Sequence, residues 1–211
     1  LILEKIHYNI QMTAALLALI APIFFIVSNY IDKHLVEIHF RDKSIHTLVA
    51  ISAVIGFIIA PIFYILANGN IWTPSISEIF FAMMAGWVYL LALYPYLKSL
   101  QEEDTSLIVV LFQLIPLMVW GLGILFLNEH LAGQQVLAGF ILILGALGIS
   151  VDIKKLKFKT RIFFLSLLTS FLFALDSVLF KLSVATADYI VMTFWLQLGF
   201  VIAAIILLVF F

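Results

Sequence analysis

The sequence has no cysteine and very few charged residues. Without cysteine, its 211 residues can form no disulfide, no thiolate metal site and no cysteine nucleophile. Charged residues make up 11% of the chain and hydrophobic residues 65%, whereas a soluble domain carries about 25% charged and about 45–50% apolar residues. The net charge of −1 supplies no basic field for nucleic acid. The composition therefore indicates an integral membrane protein.

Several functional motifs are also missing. The chain has no GxxxxGK[ST] phosphate-binding loop, so nothing in it binds ATP in that way. Its five histidines lack metal-ligand spacing, and no carboxylate completes a site around them. We find no nucleophile–base pair at membrane depth, so we predict neither a metal centre nor an enzyme.

The two ends of the chain lack the features of natural termini. The first residue is not methionine, and the opening residues have no signal-peptide pattern. The chain stops inside the apolar run 189–211. We expect it to be a fragment of a longer protein.

Apolar segments of membrane-spanning length dominate the sequence. A helix needs about 20 apolar residues to cross a bilayer, and its backbone must be hydrogen-bonded internally. Seven segments meet this requirement: 11–31, 46–67, 77–97, 106–128, 134–151, 162–183 and 189–211. Pro22, Pro61, Pro95 and Pro116 lie inside four of them, where they predict bends or hinges. The expected fold is an all-α integral membrane protein.

Two short segments recur in the same order. FFIVSNYIDK (24–33) returns 148 residues later as LFALDSVLFK (172–181), and GFIIA (56–60) returns 143 residues later as GFVIA (199–203). Repeated membrane helices are typical of transporters built from two related halves. We therefore predict a five-helix first repeat at 1–152 and the start of a second at 153–211. Because a second repeat of the same length would follow the first, the intact protein should have ten helices in about 300 residues.

Helices 4 and 5 carry a recognisable pattern in 106–150. A helix with a mid-membrane proline is followed by Leu-Gly-x-Leu-Phe-Leu-x-Glu-x-Leu and by a glycine-rich helix that ends in Gly-x-x-Gly. The residues that carry it are Pro116, Gly123, Phe126, Glu129, Leu131, Gly139, Gly145 and Gly148. This segment resembles the end of an EamA domain of the drug/metabolite transporter superfamily.

The resemblance implies two inverted five-helix repeats around a cavity lined by helices 1, 3, 4, 6, 8 and 9. It also implies alternating access without ATP, on amino acids, nucleobases, nucleotide sugars, other metabolites or drugs. Glu129 at the end of helix 4 is expected to be structural, and the glycine face of helix 5 to pack closely against a neighbouring helix.

Membrane orientation receives two conflicting predictions. Nine of the Lys and Arg residues fall on the side of loops 1–2, 3–4 and 5–6, and two on the other side. The positive-inside rule then places loop 5–6 in the cytoplasm and the N-terminus outside. The family resemblance implies cytoplasmic termini, so orientation stays open at this point.

Asp176 is the strongest candidate for function, because a charged residue in mid-membrane costs at least about 2.5–3.5 kcal/mol. It is expected to carry a proton or cation or to bind a substrate amine; otherwise it is a wetted or paired carboxylate near the membrane face. The repeat pairs Lys33 with Lys181, which either flank a cavity or snorkel at helix ends. It also pairs Asn29 with Ser177, which either orient a substrate or join helices.

Further candidates lie at positions that can face a cavity. They are Trp87, Tyr94, Gln113 (three residues before Pro116), Trp120, Trp195 and Gln197. Aromatic residues near helix ends otherwise form the interfacial belt.

The leading functional prediction is a secondary transporter, in the export direction, of a small polar or amphipathic metabolite such as an amino acid or drug. The alternatives are a flippase or flippase subunit for a polyprenyl-linked sugar, and a membrane scaffold without transport activity. Expected partners are the substrate and the lipid bilayer of a prokaryotic inner membrane, with a monomer or homodimer and no nucleic acid. No cofactor is expected beyond a coupling proton or cation.

Overall fold

The computed structural model describes seven helices and no strand within the residues that it covers. Those residues are 20, 23–38, 40, 45–103, 108, 111–130, 132–150 and 160–210. The helices are α1 (23–38), α2 (Ile45–Leu66), α3 (Ile76–Glu102), α4 (Leu114–Leu127), α5 (Gly133–Ser150), α6 (Thr160–Ser183) and α7 (Tyr189–Phe210). The expected all-α architecture is confirmed for this part of the chain.

Four of these helices are long and apolar enough to cross a membrane. The spans are Thr47–Leu66, Ile76–Glu102, Thr160–Ser183 and Tyr189–Val209. They agree with four of the seven predicted segments. α4 has 14 residues, and helical positions 108 and 111–112 precede it, with a turn at Gln113. Most of the predicted first span, with Pro22, lies outside the described residues.

α1 extends further than the sequence indicated. The predicted segment ended at 31, but the helix continues to 38. Lys33 and Glu37, one turn apart on α1, form an ion pair with a distance of 2.9 Å between Nζ and Oε1. Polar contacts from Asp32 and Lys33 to α3 also hold this extension in place. A count of apolar residues misses such a boundary because tertiary contacts decide it.

α3 is the central helix of the described bundle. It packs mainly against α6 and α7, while α2 packs against α7 and α4 against α6. Pro95 lies inside α3, and the helix continues to Glu102. The helices of the predicted first repeat are therefore packed directly against the two that follow it.

Two glycines let α3 and α7 approach until their backbones touch. A Cβ atom added at Gly86 would stand 2.2 Å from the carbonyl oxygen of Leu196. One added at Gly199 would stand 2.4 Å from the carbonyl oxygen of Met83. Small residues at such crossings are the usual basis of close packing between membrane helices.

The recurring segment around Gly56 and Gly199 contacts its own counterpart. A Cβ atom added at Gly56 on α2 would stand 2.8 Å from the Phe200 ring on α7. Phe200 directly follows Gly199, and is 5% exposed. The two copies of this motif therefore lie face to face at the α2–α7 contact.

Polar contacts define two ends of the bundle, here called end A and end B. At end A the C-terminus of α3 meets α1 and α6: Lys33 Nζ donates to the carbonyl oxygens of Leu100 and Glu103, each at 2.8 Å, and Arg161 pairs with Glu102 at 3.3 Å. Consecutive helices run in opposite directions between the two ends.

At end B the N-terminus of α3 meets the α6–α7 turn. Ser75 and Glu78 form a capping box that begins α3, and the Thr186 hydroxyl donates to Glu78. Asp188 Oδ1 accepts hydrogen bonds from the backbone nitrogens of Ile190 and Val191, which begins α7.

Candidate functional site

A buried polar contact joins α1 to α3. The Tyr96 hydroxyl on α3 lies 2.7 Å from Asn29 Oδ1 and 2.9 Å from Asp32 Oδ2, both on α1. The amide nitrogen of Asn29 donates to the carbonyl oxygen of Phe25 at 2.8 Å. Asn29 is 5% exposed and Tyr96 4%, so this contact is shielded from the surroundings. Asn29 was predicted as a site residue; Asp32 and Tyr96 were not.

Tyr89 connects this contact to Asp176 of α6. The link runs through Phe173, three residues before Asp176, whose ring packs against both Tyr89 and Tyr96, and the Tyr89 side chain is 39% exposed. Asp176 Oδ1 is buried and has no hydrogen-bond partner among the described residues. A buried oxygen without a donor carries a desolvation cost, so this carboxyl is the kind of group that a proton or ligand stabilises.

Aromatic rings surround the polar groups. Phe173 of α6 lies 5.5 Å from Tyr89, 6.2 Å from Tyr96 and 6.2 Å from Phe112, measured between ring centroids. Phe200 of α7 lies 5.6 Å from Tyr89. The interior cluster therefore comprises Asn29, Asp32, Tyr89, Tyr96 and Asp176 with an aromatic wall, and it draws on four helices.

The two repeat-related lysines lie at opposite ends of the bundle. Lys33 at end A donates to the carbonyl oxygens that end α3 and pairs with Glu37. Lys181 at end B forms an ion pair with Glu129, at the end of α4. They do not meet across one site in the described bundle.

Glu129 folds back over the end of α4. Its backbone nitrogen donates to the carbonyl oxygen of Gly123, and a Cβ atom at Gly123 would stand 2.8 Å from Glu129 Oε2. The glycine of the Leu-Gly-x-Leu-Phe-Leu-x-Glu pattern thus makes room for its glutamate, whose carboxylate Lys181 then binds.

Asn29 and Ser177 occupy different environments despite their related positions. Asn29 is buried in the α1–α3 contact, whereas the Ser177 hydroxyl is exposed and donates to the carbonyl oxygen of Phe173 within its own helix. Ser177 directly follows Asp176, so it lies at the border of the interior cluster.

The remaining aromatic and amide candidates are dispersed. Trp87 and Tyr94 share one exposed face of α3, nearly opposite the buried Tyr96 and the 39%-exposed Tyr89. Trp195 is buried at end B, where its indole nitrogen donates to the carbonyl oxygen of Ile71 at 2.9 Å.

Two amides and one tryptophan lie at helix contacts. Gln197 of α7 faces Gly56 of α2, and Gln113 forms the turn before α4. Trp120 lines a cleft between α4 and α5, and its indole nitrogen is buried without a partner among the described residues.

The glycine-rich helix α5 forms the other side of this cleft. Pro116 and Gly139 line the same α4–α5 cleft as Trp120, and no heavy atom lies within 4 Å of a Cβ added at Gly139. Gly145 and Gly148 lie on α5, while Leu131 is outside the described residues. In the described ranges, no group of three His, Asp or Glu side chains is placed to hold a metal ion.

Comparison with known families identifies the fold to which these contacts belong. The model of the EamA-like transporter family matches residues 12–151, about two thirds of the chain. The chain belongs to the EamA-like transporter family. The match spans α1 to α5 and confirms the resemblance based on 106–150. A comparison with curated proteins gave no match.

Membership of the EamA-like family establishes the general activity. The protein is a multi-pass membrane protein and a transporter of the drug/metabolite superfamily. EamA proteins are transporters, with which a non-enzymatic role is consistent.

Signals for the unpredicted cluster residues were present in the sequence. Tyr89 and Tyr96 are seven residues apart, which places them on one helical face, and Asn29 and Asp32 are three apart on another. Asp32 was assigned to a loop because it follows the apolar run, so its place on α1 was missed.

Proposed function

We propose that this EamA-family protein is a secondary transporter that exports a small polar or amphipathic metabolite by alternating access, without ATP. The observation that carries the proposal is Asp176 on α6, whose Oδ1 is buried and has no hydrogen-bond partner among the described residues. Ionisable groups at such depth are costly, and in transporters they mark substrate or ion pathways.

The chemistry of the cluster favours a substrate that carries an amine. Asp176 offers a buried carboxyl oxygen without a partner among the described residues, and the Phe173 ring, three residues earlier on α6, packs against the rings of Tyr89 and Tyr96. Carboxylates attract ammonium groups, and aromatic faces stabilise cations by about 0.5–2 kcal/mol. Amino acids and amphipathic amine drugs combine both features.

We propose the ten-helix, two-repeat architecture as the setting for this site, with the repeats beginning at residues 1 and 153. The contact between Gly56 of α2 and Phe200 of α7 supports it, because related elements of two repeats meet where a pseudo-two-fold axis passes between them. The cluster then lies between the repeats, the usual place of a transporter's substrate site.

Transport by proteoliposomes tests the proposal. The protein is reconstituted and supplied with a panel of labelled amino acids and amine drugs, beside empty liposomes of the same lipid. We expect flux above the empty liposomes for at least one amine-bearing compound. No flux for any compound would contradict the proposed function, and a copurifying polyprenyl phosphate would instead favour the flippase.

Coupling is tested with the Asp176→Asn variant under an imposed pH gradient. If Asp176 carries the coupling proton, wild-type flux responds to the gradient and the variant's residual flux does not. An identical response of both proteins would contradict a coupling role for Asp176, whatever the substrate.

We propose that end A faces the cytoplasm of a prokaryotic cell, because nine of the eleven Lys and Arg residues belong to that side. The absence of cysteine allows single-cysteine variants to report orientation without background. In intact cells, a membrane-impermeant maleimide should label Asn70→Cys and leave Lys157→Cys unlabelled. The reverse pattern would contradict this orientation.

A further inference from the structure

Tyr96 lies within hydrogen-bond distance of two oxygens on α1, and two full hydrogen bonds there need one more proton than Tyr96 and an ionised Asp32 supply. A tyrosine hydroxyl has one proton to donate and lone pairs that accept. Tyr96 lies at hydrogen-bond distance from two oxygens, 2.7 Å from Asn29 Oδ1 and 2.9 Å from Asp32 Oδ2. It can donate to only one of them, so the other contact needs a proton from the opposite side.

Asn29 cannot supply that proton. Its amide nitrogen donates to the carbonyl oxygen of Phe25 at 2.8 Å, which turns Oδ1 towards Tyr96. The reversed amide would place two carbonyl oxygens against each other at Phe25. Tyr96 therefore donates to Asn29 Oδ1 and accepts from Asp32, and only a protonated carboxyl has a proton to donate.

We propose that Asp32 is a proton-binding site, and that its bound proton holds α1 against α3. With the proton present, Asp32, Tyr96 and Asn29 form one continuous chain of hydrogen bonds between the two helices. Once the proton leaves, Asp32 only accepts, and Tyr96 can satisfy either Asp32 or Asn29 but not both. The α1–α3 contact then loses one of the two hydrogen bonds that Tyr96 makes to α1.

Within the described residues, the groups around Asp32 supply no opposite charge to its carboxylate. From α3 it is faced by Tyr96 at hydrogen-bond distance and, at longer range, by Tyr89. Neighbouring Lys33 is directed to the end of α3 and to Glu37. Among the described residues, no Lys, Arg or His forms an ion pair with Asp32.

Asp32 also lines a groove between α1 and the facing helix α2. The groove has a volume of about 350 Å³, and Ser28 and Ser52 line it as well. The other lining residues are apolar: Phe24, Val27, Ile31, Leu35, Leu48, Ile51 and Ile55. Asp32 thus lies between the interior hydrogen bonds and this groove, where the Ser28 and Ser52 hydroxyls are the other polar groups.

The consequence for transport rests on the proposed function. Release of α1 from α3 is a step that an alternating-access transporter can use, since α1 carries part of the interior cluster. The proton-binding site itself stands on the Tyr96 geometry alone, so it is tested without a substrate.

Infrared spectroscopy of the protein in liposomes tests the site directly. At neutral pH, the wild-type spectrum should contain a carboxylic-acid C=O band that is missing from the spectrum of Asp32→Asn. Tyr96→Phe should shift this band because it removes the hydrogen-bond partner, whereas Tyr30→Phe, at an exposed tyrosine on α1, should leave it unchanged. Identical spectra for wild type and Asp32→Asn in this region would overturn the proposal.

Hydrogen exchange of α1 supplies a second readout. After correction for the intrinsic pH dependence, exchange of residues 23–38 should increase as the pH rises in the wild type. In Asp32→Asn the amide donates to Tyr96 at every pH, so this increase should disappear. Persistence of the increase in the variant would overturn the proposed link between the proton and α1. Failure of transport in liposomes would count against the proposed function and leave both of these readouts intact.

Discussion

The α3–α7 crossing yields a quantitative prediction from the Gly86→Ala variant. The added Cβ atom stands 2.2 Å from the carbonyl oxygen of Leu196 and 2.6 Å from the backbone nitrogen of Phe200. Overpacking of this kind costs about 1–3 kcal/mol. Backbone atoms cannot rotate away as side chains do, so we expect a value near the upper limit. The better helix propensity of alanine offsets up to about 1 kcal/mol, which leaves a net loss of about 2 kcal/mol.

The measurement is the free energy of unfolding in detergent micelles, compared with a matched control. At Gly121, in α4, no heavy atom lies within 4 Å of an added Cβ atom. Gly121→Ala should therefore be as stable as the wild type or slightly more so, by up to about 1 kcal/mol. If Gly86→Ala is as stable as Gly121→Ala, the close approach of the two backbones is wrong.

The reciprocal glycine sharpens the test. Gly199→Ala should also destabilise, because its Cβ atom stands 2.4 Å from the carbonyl oxygen of Met83. The double variant Gly86→Ala/Gly199→Ala should lose less than the sum of the two single losses, since the first methyl group already separates the helices. Strict additivity would show that the two glycines do not share one contact.

Two further variants test individual contacts by the same measurement. In a double-mutant cycle with Glu129→Gln and Lys181→Met, the coupling energy should stay below about 1 kcal/mol because the pair is partly exposed; a coupling of several kcal/mol would contradict this. Tyr96→Phe leaves the buried oxygen of Asn29 without its donor and should cost about 1–3 kcal/mol, whereas Tyr30→Phe should stay within about 0.5 kcal/mol of wild type. Equal losses for the two tyrosines would refute the buried contact.

Sequence patterns predicted the helices better than the faces they turn inward. Long apolar runs can only be helices in a membrane, which is why four described spans agree with the prediction. These runs are apolar on all sides, however, so no periodicity separates the inner face from the outer one. Trp87 and Tyr94 were therefore chosen on α3, while the contact to α1 uses Tyr96, on the nearly opposite face.

The candidate site was predicted in part for a related reason. Asp176 stood out because it is a charge within an apolar run, and Asn29 because it matched a repeat position. Asp32 lies at the border of its run, where charges are common and carry no signal. Only the α1–α3 contact shows that this carboxyl is turned inward.

The central claim is that Asp176 belongs to the transport site. Uptake of an amine-bearing compound by proteoliposomes with Asp176→Asn, compared with Asp188→Asn as the control, tests it most directly. Both substitutions remove one carboxylate from the second part of the chain. Asp188 is exposed and caps α7, a role that asparagine also fills. Loss of a charged partner costs about 1.5–3 kcal/mol, and about 1.4 kcal/mol corresponds to a tenfold effect. We expect uptake by Asp176→Asn to fall more than about tenfold, in line with that cost, and uptake by Asp188→Asn to equal that of the wild type. Equal uptake by both variants would contradict a site at Asp176.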